Sequence, residues 1–183
     1  MNIERTNSPV ILLAEDDPQD MELTLAALAE HHLANKVVTV GDGAEALDYL
    51  YCRGRFKSRA SGNPILMLLD LKMPKVNGLE VLKIIKADKD LKMMPVVVLT
   101  SSRETPDLVD CYQHWVNAYV VKPVDFSEFM KAVKQLGIFW ATINEPPPHS
   151  WRNETLRPAA EVISPGTKKT ENEIPPQHTA LGG

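Results

Sequence analysis

The sequence predicts an open, doubly wound α/β domain built on five parallel strands. Three observations predict it. Five short apolar runs recur, at Val10–Ala14, Lys36–Val40, Ile65–Leu69, Pro95–Leu99 and Ala118–Val121. Three of them are almost unbroken Val, Ile, Leu and Met without alternation, as in strands buried on both faces of a parallel sheet. Each run is followed by a segment of helical periodicity, which is the strand–helix alternation of α/β architecture.

The elements follow in order. The first strand runs into Glu15-Asp16-Asp17-Pro18, where Asp17 reads as an N-cap and Pro18 as the first helical residue. Met21, Leu25 and Leu28 then lie at i, i+4 and i+7 of the first helix. After the second strand, Asp42-Gly-Ala-Glu45 reads as a capping box. The third strand ends at Asp70, and Leu79, Leu82, Ile85 and Lys86 form a stripe on the helix that follows. The fourth strand ends in Thr100-Ser101 and the fifth in Lys122-Pro123. The last helix starts near Asp125 and carries Phe129, Val133 and Leu136 to about Phe139.

A chain of 183 residues holds one ordinary domain and an extra segment, and 44% hydrophobic residues suffice for a core. Residues 1–8 read as a flexible lead, residues 9–143 as the domain, and residues 144–183 as a tail or arm with half of the 14 prolines. The net charge of -4 gives no basic bias towards nucleic acid. Cys52 and Cys111 have no metal-ligand spacing and form no disulfide framework, which fits a reduced protein. No secretory leader and no run of roughly 20 apolar residues is present, so a cytoplasmic protein without a membrane segment is expected. The first strand–helix turn has three acids and no glycine, which disfavours a dinucleotide-binding fold, and a P-loop sequence is absent.

Ligands of open α/β sheets sit at the C-terminal strand ends. There the sequence places Glu15-Asp16-Asp17, Asp70, Thr100-Ser101 and Lys122. Clustered carboxylates repel unless a cation joins them, and a few oxygen ligands open to water suit Mg²⁺. A carboxylate nucleophile, a metal, a hydroxyl and an ammonium are the parts that hold a transferring phosphoryl group.

Glu15-Asp16, Asp70, Thr100, Tyr119 and Lys122-Pro123, at these separations, resemble the receiver domain of two-component response regulators. The resemblance covers about residues 9–140. It implies a flavodoxin-like sheet in the order 2-1-3-4-5 and phosphorylation of Asp70 by a sensor histidine kinase. Mg²⁺ would be bound by Asp16 and Asp70, by Glu15 mainly through water, and by the backbone carbonyl of Lys72. Thr100 would move to the phosphoryl oxygen and draw Tyr119 inward, Lys122 would pair with the phosphate, and the Lys122-Pro123 bond would be cis. The basic insert Arg53–Arg59, the stretch Tyr119–Asp125 and the ending Gly137–Pro148 resemble small regulators that partner phytochrome histidine kinases.

On this reading the chain is a single-domain signalling module, not an enzyme acting on an external substrate. It passes its signal by protein contact, or serves as a relay intermediate or phosphate sink. An aspartate-nucleophile phosphohydrolase is disfavoured because the second Asp such enzymes use two residues on is here Lys72. From Trp151 onward the tail balances four basic against four acidic residues, and it shows no helix-turn-helix pattern and is not expected to bind DNA. The basic insert reads chiefly as a solvated loop, with contact to an acidic kinase surface as the sharper alternative. Trp115 stands where many receivers have glycine. Either the fourth helix ends with a different cap or the ring makes contacts. Folding back over the local core competes with a homodimer face formed by Trp115, Phe139, Trp140 and the last strand, with the C-terminal arm reaching a sister subunit.

Overall fold

The computed structural model describes residues 10–29, 37–60, 62–122 and 125–145. Ten regular elements alternate along them: β1 Ile11–Ala14, α1 Pro18–Ala29, β2 Val37–Val40, α2 Gly43–Leu50, β3 Leu66–Leu69, α3 Gly78–Ala87, β4 Val96–Thr100, α4 Thr105–Gln113, β5 Ala118–Val121 and α5 Phe126–Ile138. All strand pairs are parallel and the order is β2-β1-β3-β4-β5, as expected. The three unbroken apolar runs are the central strands β1, β3 and β4, buried at every position. The edge strands β2 and β5 are only partly buried.

Strand pleating sorts the core into two layers. Leu12, Ala14, Met67, Leu69, Val96 and Val98 face Ala46 of α2, Val81, Leu82 and Ile85 of α3, and Cys111 of α4. Their neighbours Ile11, Leu13, Leu66, Leu68, Val97 and Leu99 face Ala27 and Leu28 of α1 and Phe129 and Val133 of α5. Because both faces are covered, the chemistry-bearing residues are left to the strand ends. Among the described residues no helix is long and apolar enough to cross a membrane.

Asp17 caps α1 as expected, accepting from the N–H groups of Gln19 at 2.8 Å and Asp20 at 3.1 Å. The fully buried face of α1 is Thr24, Ala27 and Leu28, so the apolar stripe read from Met21, Leu25 and Leu28 was incomplete. Thr24 is accommodated because its hydroxyl donates to the Asp20 carbonyl at 2.8 Å. The capping box expected at Asp42 is half made. Asp42 accepts from the Glu45 N–H at 2.8 Å, but Glu45 reaches back to the Gly41 N–H and pairs with Arg55. A full box forms instead at Asn77 and Glu80, ahead of α3.

The basic insert is not a uniformly solvated loop. Arg59 donates to the carbonyls of Tyr49, Leu50, Ala60 and Gly62 at 2.7–3.2 Å and stacks 4.1 Å from the Tyr49 ring centroid. Arg53 and Arg55 lie over the rings of Tyr51 and Phe56. The lead at residues 1–8 and the tail from residue 146 lie outside the described residues.

Helix α4 ends in a Schellman motif. The Val116 N–H bonds the Cys111 carbonyl and the Trp115 N–H bonds the Tyr112 carbonyl, each at 3.1 Å. Val116 and Cys111 close it from inside the core. Trp115 occupies the left-handed position with φ 59°, so the cap expected of glycine is retained with tryptophan in it. Its side chain does not fold back over the core, since it is 79% exposed. Cys52 ends α2 in the same way with φ 54°, a capping role that the sequence reading missed. A non-glycine residue in this region costs roughly 1–2 kcal/mol, and little ring burial offsets that at position 115. Trp115→Gly is therefore expected to raise stability by about 1 kcal/mol in denaturant titration, whereas Trp115→Ala gives no such gain.

Candidate functional site

The ladder of the sheet continues past the strands and sets the site. Beyond the paired Ala14 and Leu69, the Asp70 N–H donates to the Ala14 carbonyl at 3.0 Å and the Glu15 N–H to the Val40 carbonyl at 3.1 Å. On the other side the Lys122 N–H donates to the Thr100 carbonyl at 2.8 Å. Residues 15, 70, 100 and 122 are thus fixed by backbone hydrogen bonds at the C-terminal edge of four strands.

Glu15, Asp16 and Asp70 each offer an oxygen lying within 4.8 Å of the others. Glu15 and Asp70 are buried and Asp16 is exposed. Asp70 is oriented by the Lys72 N–H, which donates to its Oδ2 at 2.8 Å. The Nζ of Lys122 lies 2.7 Å from Glu15 Oε2, 2.6 Å from Asp20 Oδ2 and 3.6 Å from Asp70 Oδ1. In this state the lysine expected beside Asp70 holds Glu15 and Asp20 more closely.

One ammonium faces several carboxylates, and the proton affinities follow. Burial raises the Glu15 carboxyl to about 7, Lys122 works against that shift, and Asp70 and Asp20 add to it. Burial also opposes the Lys122 ammonium, but its hydrogen bonds to Asp20 and Glu15 prevail and raise its pKa.

The loop from Asp70 to Gly78 is clamped from two sides. A Cβ on Gly78 would meet the Asp70 carbonyl oxygen at 2.0 Å, so only glycine lets α3 start this close to the strand end. A Cβ on Gly43 would meet the Val76 carbonyl oxygen at the same distance. Between them Lys75 has φ 64°, and its Nζ pairs with the buried Asp42 at 2.5 Å.

Thr100 is fully buried, and its hydroxyl oxygen accepts from the Ser102 N–H at 3.2 Å. The Tyr119 hydroxyl donates to the Ser102 carbonyl at 3.1 Å. Thr100 and Tyr119 therefore meet through Ser102, which also donates to Asp107 at 2.7 Å. Sequence reasoning missed Ser102 and Asp20. The position of Asp20, one helical turn after Asp16, was the available signal. The Lys122-Pro123 bond, expected to be cis, lies outside the described residues. Of the three aromatic surface candidates, Trp115 and Phe139 are exposed. Trp140 packs partly against the layer under α1 and α5, edge-on to Phe139 at 5.1 Å.

An all-oxygen donor set with excess negative charge fits a hard divalent cation. The carboxylates of Glu15, Asp16 and Asp70 would hold it, and it would supply positive charge beside Asp70.

A family model described as the response regulator receiver domain matches residues 11–134. Response regulator Rcp1 of Synechocystis sp. is 37% identical over 138 residues, 75% of this chain and 92% of that protein. Its Mn²⁺-bound structure superposes with a TM-score of 0.71, covering 76% of this chain and 99% of that one at 36% identity. The phosphorylated cyanobacterial phytochrome response regulator RcpA also has a TM-score of 0.71, at 39% identity over 76% of this chain and 99% of that one. The bacteriophytochrome response regulator RtBRR is 57% identical with a TM-score of 0.62, covering 78% of this chain and 86% of that one.

Since Glu15 binds its proton more tightly in the folded state, metal-free protein is expected to lose stability as pH rises from 4.5 to about 7. Glu15→Gln should flatten that slope in denaturant titrations run in chelator.

Proposed function

Because this chain belongs to the response regulator receiver domain family, we propose that it is a single-domain phosphorylation switch with Asp70 as the acceptor. The observation that carries the reading is the placement of Asp70. It is buried, fixed by the Lys72 N–H, and shares one pocket with Glu15, Asp16 and Lys122. A carboxylate so held is available on one side to a donor and faces an ammonium on the other.

In the proposed step a carboxylate oxygen of Asp70 attacks the phosphorus of a kinase phosphohistidine. The new P–O bond forms as the P–N bond breaks, and the departing imidazole nitrogen takes a proton. Loss of the group reverses the charge change: water attacks phosphorus, the P–O bond to Asp70 breaks, and inorganic phosphate leaves. Asp16, Asp70 and the Lys72 carbonyl, with Glu15 mainly through water, would hold Mg²⁺, which would supply positive charge beside the phosphoryl group. Lys122 supplies the second positive charge. The Thr100 hydroxyl, released from Ser102, becomes a donor to a phosphoryl oxygen, and Ser102 links that change to Tyr119 on the partly exposed strand β5. The switch needs only a different interaction of this face in the two states.

The likeness to RcpA and RtBRR supports a phytochrome-type histidine kinase in the cytoplasm as donor. The same phosphoryl chemistry serves a relay intermediate or a phosphate sink. The position two residues beyond Asp70 supports signalling in preference to turnover of external esters. Lys72 stands there and reaches 4.0 Å from Glu104, and it cannot act as a carboxylic acid. Leu108, Val109, Tyr112 and Trp115 leave an apolar face exposed along α4, and Phe139 is exposed at the end of α5. We assign this face, with β5, to a homodimer, and the tail from residue 144 to an arm across it.

Intact-mass spectrometry after treatment with acetyl phosphate tests the chemistry. One phosphoryl group should be gained with Mg²⁺, and none without Mg²⁺ or in Asp70→Asn. Unmodified wild type under all conditions overturns the reading. Sedimentation at high concentration tests the dimer: association should weaken in Trp115→Ala and on removal of residues 144–183, and a monomer throughout refutes it.

A further inference from the structure

Lys122 has a partner that the receiver motif does not contain. Asp20 Oδ2 lies 2.6 Å from its Nζ, as close as Glu15 at 2.7 Å, whereas Asp70 at 3.6 Å is beyond hydrogen-bonding range. The Lys122 side chain is only 10% exposed, so water does not readily replace a lost partner. Asp20 is on the first turn of α1, and helical side chains lean towards the N-terminus, which aims this one at the strand ends. It is not the cap of α1, because Asp17 fills that role and Asp20 contributes its backbone N–H to it. It is also outside the group of carboxylates that converge as cation ligands. The geometry leaves its carboxylate with a task directed at Lys122.

We infer that Asp20 is a positioning residue that holds Lys122 on the α1 side of the pocket and competes for it with Asp70 and with an incoming phosphoryl group. The inference rests on the assignment of Asp70 as phosphoacceptor. With Glu15 and Asp70 committed to a divalent cation, Asp20 is the remaining carboxylate that restrains the ammonium. A phosphoryl group adds about -1.5 to -2 charges near neutral pH. Asp20 opposes it twice, by repelling that charge and by retaining the cation that would neutralise it. Without Asp20, Lys122 leans further on Glu15 and Asp70, which assists phosphoryl arrival but competes with the metal.

Asp20→Asn preserves shape and removes the charge. Glu22→Gln removes the same charge from the exposed face of the same helix, away from Lys122. At saturating Mg²⁺, phosphorylation by acetyl phosphate is expected to be on the order of fivefold faster in Asp20→Asn and unchanged in Glu22→Gln. By calorimetry, Mg²⁺ should bind about threefold more weakly to Asp20→Asn, and that difference should vanish in a Lys122→Met background. An unchanged or slower rate overturns the inference, as does a loss of Mg²⁺ affinity that persists in full without Lys122. Wild type that accepts no phosphoryl group refutes the assignment of Asp70, while the calorimetric cycle still decides whether Asp20 acts through Lys122.

Discussion

The structure depends on one electrostatic constraint: four carboxylates converge at the strand ends, and Lys122 is the ammonium that meets three of them. Glu15 and Asp70 are buried by the ladder that continues β1 and β3, so their charges cannot turn outward to solvent. The sheet therefore builds a site with more negative charge than it neutralises. Proton uptake by Glu15, a bound divalent cation and a redistributed Lys122 are different answers to that same excess. On the proposed reading that excess is what a ligand would answer: an acidic pocket already balanced would have nothing to gain from a cation.

The rest of the fold keeps that charge in place. Two apolar layers cover both faces of the sheet, and the strand ends inherit their rigidity. The loop after Asp70 is the least regular part of the pocket, and it is confined by two glycine contacts and the Asp42–Lys75 pair. Removing Lys75 would leave the buried Asp42 carboxylate without its counter-ion, so Asp42 is committed to holding this loop. On the opposite rim, the hydrogen bonds through Ser102 tie Thr100 to an edge strand that is only partly covered. Confined on one side and lightly packed on the other, the pocket of the proposed switch would register a change at Asp70 on a single face.

Much of this was legible in the sequence because the signals were redundant. Unbroken runs such as Leu66–Leu69 mark central strands, and the acids at their ends fall where open sheets bind ligands. What escaped reading depended on details of three-dimensional reach. Glu45 looked like half of a capping box, but its side chain preferred the Gly41 N–H and Arg55, while Asn77 and Glu80 made the box. Arg59 looked solvated because charge alone says nothing about nearby unpaired carbonyls. Asp20 was overlooked because its partner is 102 residues away. Trp115 was recognised as unusual, and only the backbone showed that its left-handed cap is kept.

Arg59 has a consequence for how freely this surface can change over evolutionary time. Its guanidinium spans four carbonyl oxygens from three nitrogen atoms while its flat face rests on Tyr49. Lysine keeps the charge but offers one nitrogen and no plane, so the usual conservative exchange would leave the end of α2 and the return towards β3 without a common tie. A loop that looks like a tolerant insertion point therefore contains a position with the mutational latitude of a core residue. Length and composition can drift around it only so long as the four carbonyls stay within reach of one side chain.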